Sequence, residues 1–95
     1  MKIEYHTPRI EIHYCTECRF ILRANWLAQE ILMTFANRIG ELVLIPSTSG
    51  EFRINFDGKN IFSRKDTGRF PDSKELKQMI RDNIDPMMSL GHSDN

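Results

Sequence analysis

The chain has 95 residues, of which 40% are apolar and 27% charged, as expected for one globular domain. Its 13 basic and 13 acidic side chains cancel, and no block of like charge indicates a nucleic-acid-binding surface. No apolar run approaches the roughly 20 residues that span a bilayer, and the first residues lack the apolar core of a secretory signal. We therefore expect a protein of the reducing cytoplasm, with no nucleic-acid or membrane partner.

The first two predicted elements are a strand and a helix. Apolar and polar residues alternate strictly over 9–14, which predicts a strand with Glu11 and His13 on its polar face. Apolar residues then recur at three- and four-residue spacing over 18–39, as in an amphipathic helix. Gly40 is the expected stop, because glycine readily takes the left-handed conformation found after helix ends.

The middle of the chain predicts a buried strand and a hairpin. The short apolar segment 41–45 is typical of a buried strand, whereas 51–56 alternates. Asp57 and Gly58 tolerate the positive φ of a type I′ turn, so they predict a hairpin whose return strand covers 60–63. The first two strands, with a helix between them, are expected to be parallel.

A polar loop over 64–70 and a second helix complete the predicted elements. Asp72 is the expected N-cap of that helix, and Glu75 completes a capping box. The helix is expected to end at Asp85, because a residue that precedes proline avoids helical backbone.

Together these elements predict an α/β fold of order βαβββα, with a four-stranded mixed sheet and two helices. The whole chain, 1–95, is expected to form a single domain. Its folded core is expected over about 8–86, and the C-terminal tail, 88–95, is expected to be flexible.

Chemistry points to the two cysteines, which form one Cys-x-x-Cys motif, Cys15 to Cys18, where the first strand meets the first helix. Unpaired amides and the helix dipole favour a thiolate there, so we expect a pKa below that of free cysteine. Glu17 opposes this shift and Arg19 favours it. A thiolate attacks a partner disulfide, and the second thiol resolves the mixed disulfide. The predicted catalytic residues are therefore Cys15 and Cys18.

Other roles stay open for the same region. The thiols are inert in a purely structural role. A metal site would add His13 and His6 to the pair, although structural zinc usually takes four ligands. Pro46 is either a cis-proline near the thiols or a trans-proline that ends a strand, and the second interpretation is favoured because cis bonds are uncommon.

Two further features each allow a functional and an ordinary interpretation. The basic residues Arg64, Lys65 and Arg69 either attract an anion, such as the carboxylates of glutathione, or form a solvated loop, which is the commoner case. Trp26 either contacts a partner or is packed or partly exposed on the first helix, and the latter is favoured.

Several stretches, taken in order and spacing over about 9–84, resemble the selenoprotein W-related, Rdx-type family of thioredoxin-like proteins. The resemblance implies a thioredoxin-like fold and glutathione- or thioredoxin-linked redox activity in antioxidant defence. The stretches that carry it are IHYCTEC (12–18), PSTSGEF (46–52), NFDGK (55–59) and SRK (63–65), with Gly68, Phe70 and Asp72 downstream.

The family often has selenocysteine where this chain has Cys18, so the resemblance implies similar but less reactive chemistry. It leaves the attacking group open, because thioredoxin logic assigns Cys15 whereas the selenocysteine position points to Cys18. We adopt Cys18, with Cys15 as its partner. The expected partners are protein disulfides or glutathione as a co-substrate, with no bound cofactor or metal. The alternative function is a redox-sensitive protein-binding module without turnover.

Overall fold

The computed structural model describes residues 4–91, which contain four strands and three α-helices. A 3-10 turn, Ala36–Arg38, directly follows the first helix. No helix in the described part of the chain is long and apolar enough to cross a membrane. In chain order the elements are β1 (Arg9–Cys15), α1 (Ile21–Phe35), β2 (Glu41–Ser47), β3 (Phe52–Phe56), β4 (Lys59–Ser63), α2 (Arg64–Thr67) and α3 (Ser73–Ile84).

The strands form one mixed sheet in the order β2-β1-β3-β4. β1 is parallel to β2 and antiparallel to β3, and β3 and β4 form an antiparallel hairpin. At its tip Asp57 and Gly58 have φ angles of 47° and 83°, as a type I′ turn requires. The predicted α/β fold with a four-stranded mixed sheet is thus confirmed.

Both long helices pack on one face of this sheet. Glu30 of α1 joins the helices, because it accepts hydrogen bonds from Ser73 at 3.2 Å and Lys77 at 3.1 Å on α3. The opposite face carries polar side chains, including Glu11 and His13 as predicted. The buried core contains residues of the sheet and of both helices: Ile10, Ile12, Ala24, Leu27, Ala28, Ile31, Phe35, Ile39, Phe52, Ile54, Phe56, Phe62, Leu76 and Ile80.

α1 is shorter at both ends than the predicted helix over 18–39. Arg19 has a φ of 60°, which no α-helix continues, so the chain first makes a turn and α1 begins at Ile21. At the other end Ala36, with a φ of 46°, ends the helix before Gly40. Gly40 has another role, because a Cβ there would lie 2.5 Å from the carbonyl carbon of His6.

The segment predicted as a polar loop, 64–70, begins with the single-turn helix α2, so there are three α-helices rather than two. Thr67 Oγ1 donates to the Ser63 carbonyl at 2.9 Å and closes this turn. Gly68, with a φ of 73°, ends it. Hydroxyl-to-backbone bonds of this kind leave no periodic sequence signal, which is why the short helix was not predicted.

β2 is half-buried rather than buried, because it is an edge strand. Leu42 and Leu44 pack against the core. The strand runs to Ser47, so Pro46 lies within it rather than after it. An edge strand tolerates proline, since one of its sides has no partner for a backbone N–H.

The capping box of α3 is confirmed. Asp72 Oδ1 accepts the Glu75 N–H at 2.7 Å, and Glu75 Oε1 accepts the Asp72 N–H at 3.1 Å. The helix ends before Asp85, as predicted. In the described part of the predicted tail, Met88 and Leu90 pack against the core. Residues 92–95 lie outside the described residues, so the flexibility of the tail stays a prediction.

Candidate active site

The two cysteines lie at the end of β1 and in the turn that follows it. Cys15 is the last residue of β1 and is only 1% exposed, whereas Cys18 is exposed. The Thr16 N–H donates to the Ser47 carbonyl at 3.1 Å, and the Phe20 N–H donates to the Cys15 carbonyl at 3.3 Å. The turn therefore curls back over the strand end, and the two sulfurs lie within hydrogen-bonding reach.

The contact between the two thiol groups has the largest effect on their pKa values. A hydrogen bond from the Cys18 thiol lowers the pKa of Cys15, burial opposes this shift, and the backbone amides of Gly50, Cys18 and Glu17 add to it. The same shared hydrogen bond raises the pKa of Cys18, as do desolvation and the negative charges of Cys15 and Glu17. The two thiols therefore titrate as an interacting pair, in which their contact lowers the pKa of Cys15 and raises that of Cys18.

The amides that stabilise this thiolate belong to the turn and to the loop before β3. Sequence reasoning assigned them to the start of α1, but α1 begins three residues after Cys18. The loop is held in place because the Cys15 N–H donates to the Glu51 carbonyl at 2.8 Å. Gly50, with a φ of 72°, was missed as a site residue. The signal that could have found it is a glycine in the loop that faces the end of β1.

Pro46 is the ordinary trans-proline that was favoured, whereas the role of Trp26 stays a prediction. Pro46 pairs with Tyr14 in the register between β2 and β1. Its peptide bond is trans, because Thr7–Pro8 is the only cis bond in the described chain. Trp26 is 54% exposed on α1, in line with partial exposure.

The histidine considered as a metal ligand is engaged elsewhere. His13 Nε2 lies 3.3 Å from Glu11 Oε1, and His13 Nδ1 lies 3.3 Å from Arg53 Nη2, on the polar face of the sheet. Within residues 4–91, no three histidine, cysteine, aspartate or glutamate side chains are grouped so as to hold a metal ion. The structure therefore does not bring His13 and the cysteines together as a ligand set.

An aromatic cluster lies beside the cysteine turn. Phe20, which follows that turn, contacts Phe70 edge-to-face with centroids 4.9 Å apart, and Phe70 contacts Phe52 at 5.1 Å. The guanidinium carbon of Arg23 lies 4.2 Å from the Phe70 centroid. That of Arg64 lies 5.0 Å from the Phe70 centroid and 5.4 Å from the Phe20 centroid. Two cations thus lie over one aromatic cluster, whose member Phe20 is two residues after Cys18.

The three basic residues singled out in the sequence do not act as one group. Lys65 Nζ lies 3.6 Å from Glu51 Oε2, and both terminal nitrogens of Arg69 bond to Glu75. Arg64 has no such partner and joins Arg23, which sequence reasoning missed. The available signal was the position of Arg23 three residues after Phe20, which places both side chains on one face of the helix entry.

A reduced thiol pair in the turn between a strand and a helix, on a mixed sheet covered by helices, defines a thioredoxin-like protein. The sequence matches the Rdx family over residues 9–82, and the chain belongs to that family. The predicted family resemblance is thus confirmed.

Two solved crystal structures are similar to this chain. One, of a protein from Bordetella parapertussis, is 50% identical with a TM-score of 0.80, covering 82% of this chain and 99% of that chain. The other, of a selenoprotein W-related protein from Vibrio cholerae, is 48% identical with a TM-score of 0.79, covering 81% and 96%. No curated protein sequence matches significantly.

Proposed function

We propose that this chain is a thiol–disulfide redox protein of the cytoplasm, in which Cys15 and Cys18 cycle between a dithiol and an internal disulfide. The observation that carries the proposal is the pairing of two thiols in one turn, with one sulfur exposed and the other buried behind it. Membership in the Rdx family supports it. The proposed partners are glutathione or protein disulfides.

The reaction consists of two exchanges that move two electrons from the pair to its partner. A thiolate of the pair attacks one sulfur of the partner disulfide, a mixed disulfide forms, and the other partner sulfur leaves as a thiolate. The second cysteine of this chain, once deprotonated, attacks the sulfur of the first cysteine in the mixed disulfide. The remaining sulfur of the partner then leaves as a thiolate. An internal disulfide forms between Cys15 and Cys18, and the partner is released fully reduced.

Cys18 makes the first bond in this proposal. Its sulfur is exposed, whereas the Cys15 sulfur is enclosed and a partner disulfide cannot align with it. Attack by Cys18 draws on the state of the pair in which Cys18 has lost its proton and Cys15 has kept its own. Cys15, which is buried behind Cys18, then loses its proton and serves as the resolving thiolate.

The test is a glutathione redox titration followed by intact mass, with Cys15→Ser and Cys18→Ser beside the parent chain. We expect a reversible loss of two hydrogens in the parent chain. Cys15→Ser is expected to accumulate a mixed disulfide on Cys18, and Cys18→Ser to form one much more slowly. A pair that neither closes internally nor forms a mixed disulfide contradicts the proposal. Faster mixed-disulfide formation in Cys18→Ser than in Cys15→Ser reverses the two roles.

One observation favours the second candidate function, a redox-sensitive protein-binding module. Leu22, Trp26 and Met33 recur at helical spacing on the exposed side of α1, with 75%, 54% and 70% of their surfaces exposed. This apolar stripe begins four residues after Cys18, so its occupant would be the protein that exchanges with that thiol. Repeated reduction of a small disulfide by this chain, at the expense of glutathione, argues against a module without turnover.

A further inference from the structure

Two arginines beside the cysteine turn have no acidic partner among the residues that the structure describes. Two other basic residues of this region are neutralised locally, Lys65 by Glu51 and Arg69 by Glu75, whereas Arg19 of the turn itself is exposed. Arg23 and Arg64 only stack on aromatic rings. A guanidinium that stacks on a ring face keeps its N–H groups in the plane, where they are directed away from the ring.

The polar atoms of Arg64 are unusually poorly satisfied. Its Nε is fully enclosed and has no hydrogen-bond partner in the described chain. Arg53 Nε is also unpaired, but Arg53 Nη2 donates to His13, whereas no nitrogen of Arg64 donates to any described side chain. Leaving a buried charged donor unpaired costs free energy, so Arg64 is not placed here to stabilise the fold.

The placement of the two guanidiniums favours a small ligand near Cys18. Both guanidinium carbons lie over the ring of Phe70, 4.2 and 5.0 Å from its centroid. Arg64 also lies over Phe20, two residues after Cys18. Planar, forked N–H donors match the geometry of a carboxylate, which they bind with two parallel hydrogen bonds.

We propose that Arg23 and Arg64, held by the Phe20–Phe70 pair, form a carboxylate-binding subsite that selects small peptide disulfides with carboxylates near their sulfur. This inference rests on the proposed redox function and names the substrate class of the same site. The carboxylates dock on the two guanidiniums and hold the disulfide against the exposed Cys18 sulfur. Exchange itself proceeds as described above, and the arginines only position the substrate.

The test compares one anionic disulfide with its neutralised form. The probes are glutathione disulfide and its tetraester, which has the same peptide skeleton without free carboxylates. Arg23→Gln and Arg64→Gln are each expected to slow exchange with the anionic probe by about tenfold, the effect of losing a charge-assisted hydrogen bond. Exchange with the ester is expected to stay within about twofold of the parent chain.

Lys65→Gln is the matched control, since it removes one positive charge from the neighbouring residue, which already has an acidic partner. It is expected to change both rates by less than about twofold. Arg64→Gln slowing both probes equally, or Lys65→Gln slowing the anionic probe as much as Arg64→Gln does, would overturn the subsite. Exchange with neither probe in the parent chain instead contradicts the redox function itself.

A binding measurement separates recognition from exchange. S-methylglutathione carries both carboxylates but neither a thiol nor a disulfide, so it binds without reacting. We expect it to shift the ring resonances of Phe70 in the reduced parent chain, and not in Arg64→Gln. The fold of that variant is checked by the unchanged resonances of the Ile10 and Ile12 methyl groups, which are buried at the centre of the sheet. Absence of the shift in the parent chain overturns the small-molecule subsite.

Discussion

Arginines are used differently on the open face of the sheet and at its cysteine end. On the open face, Arg9 Nε donates to Glu11 at 3.2 Å and Arg9 Nη1 donates to Glu41 at 2.7 Å. At the cysteine end, Arg23 and Arg64 lie on aromatic rings without an acidic partner in the described chain. The guanidinium of Arg9 is therefore part of a closed ion-pair network, whereas those of Arg23 and Arg64 are not.

The difference follows from where acids occur in the register. β1 and β2 run parallel, and Arg9 lies directly opposite Glu41, so the sheet itself brings opposite charges together. Arg23 lies on α1 and Arg64 on α2, and their guanidiniums contact the aromatic rings of Phe70 and Phe20. Partnered charges support the fold, and the two unpartnered guanidiniums are the groups that we propose bind a carboxylate.

The largest expected effect is at the cysteines and tests how far that end depends on its own hydrogen bonds. Cys18→Ala removes the internal disulfide entirely, and it removes the thiol that donates to Cys15. Loss of that donor disfavours the charged form of Cys15, so the pKa of Cys15 is expected to rise. Each unit of that rise lowers the fraction of thiolate near neutral pH by about tenfold. Thiolate absorbance as a function of pH measures it. An unchanged titration midpoint would show that the amides of Gly50 and Glu17 suffice.

A second prediction concerns the closed network of the open face. Glu11 accepts hydrogen bonds from Asn55 and Arg9, and its contact with His13 is the main cause that lowers its pKa. Glu11→Gln is expected to lower the free energy of unfolding by about 1–2 kcal/mol near neutral pH, measured by urea denaturation.

The pH dependence gives the same prediction a sign. Because the folded pKa of Glu11 is depressed, its contribution is present above the unfolded pKa and is lost as pH falls through the folded pKa. The difference between the parent chain and Glu11→Gln should therefore shrink in acid. Glu17→Gln, at an exposed position, is the control, with a change within about 0.5 kcal/mol. A difference that stays constant in acid would contradict the role given to the carboxylate.

The sequence predicted the fold well because its local signals agreed with the tertiary structure. Alternation in β1 placed Ile10 and Ile12 in the core, and the capping box marked the start of α3 correctly. The α1 boundaries were wrong because Arg19 and Ala36 take positive φ without being glycine. That choice is imposed by contacts around the cysteine turn and the helix end, which no local propensity records.

The candidate site was only partly predictable, for a related reason. Both cysteines, and their place at the end of the first strand, could be predicted because they depend only on spacing along the chain. Gly50 and Arg23 were not predicted as site residues, because only the tertiary fold brings Gly50 to Cys15 and Arg23 to Phe70. Among the basic residues, Arg64 and Lys65 are adjacent in sequence, yet only Lys65 meets an acid, Glu51. Tertiary pairing, rather than composition, distinguishes them.

A smaller effect is expected from Asp72, which makes a stabilising contact at the cysteine end. This residue tests whether selection depends on the unpartnered guanidiniums or on any contact in that region. Asp72 caps α3 and fixes Glu75, which in turn binds Arg69 beside Phe70. Asp72→Ala is expected to lower the free energy of unfolding by about 1 kcal/mol, measured by denaturation. The ratio of exchange rates for anionic and esterified glutathione disulfide is expected to stay the same. A collapse of that ratio would mean that the cap, and not the guanidiniums, determines selection.

The smallest effect on stability is expected from a substitution of Arg64, which is compared here with the same substitution of Arg9. Arg64→Met keeps an unbranched side chain on the rings of Phe20 and Phe70 while it removes a charge that no described residue neutralises. It also removes an enclosed donor without a partner, so we expect the free energy of unfolding to stay within about 0.5 kcal/mol of the parent chain or to rise. Arg9→Met is the control, with an expected loss of about 1–2 kcal/mol, because it removes the guanidinium that pairs with both Glu11 and Glu41. Equal losses in the two variants, measured by thermal and urea denaturation, would mean that Arg64 stabilises the fold as Arg9 does, and the distinction between the two regions would then be lost.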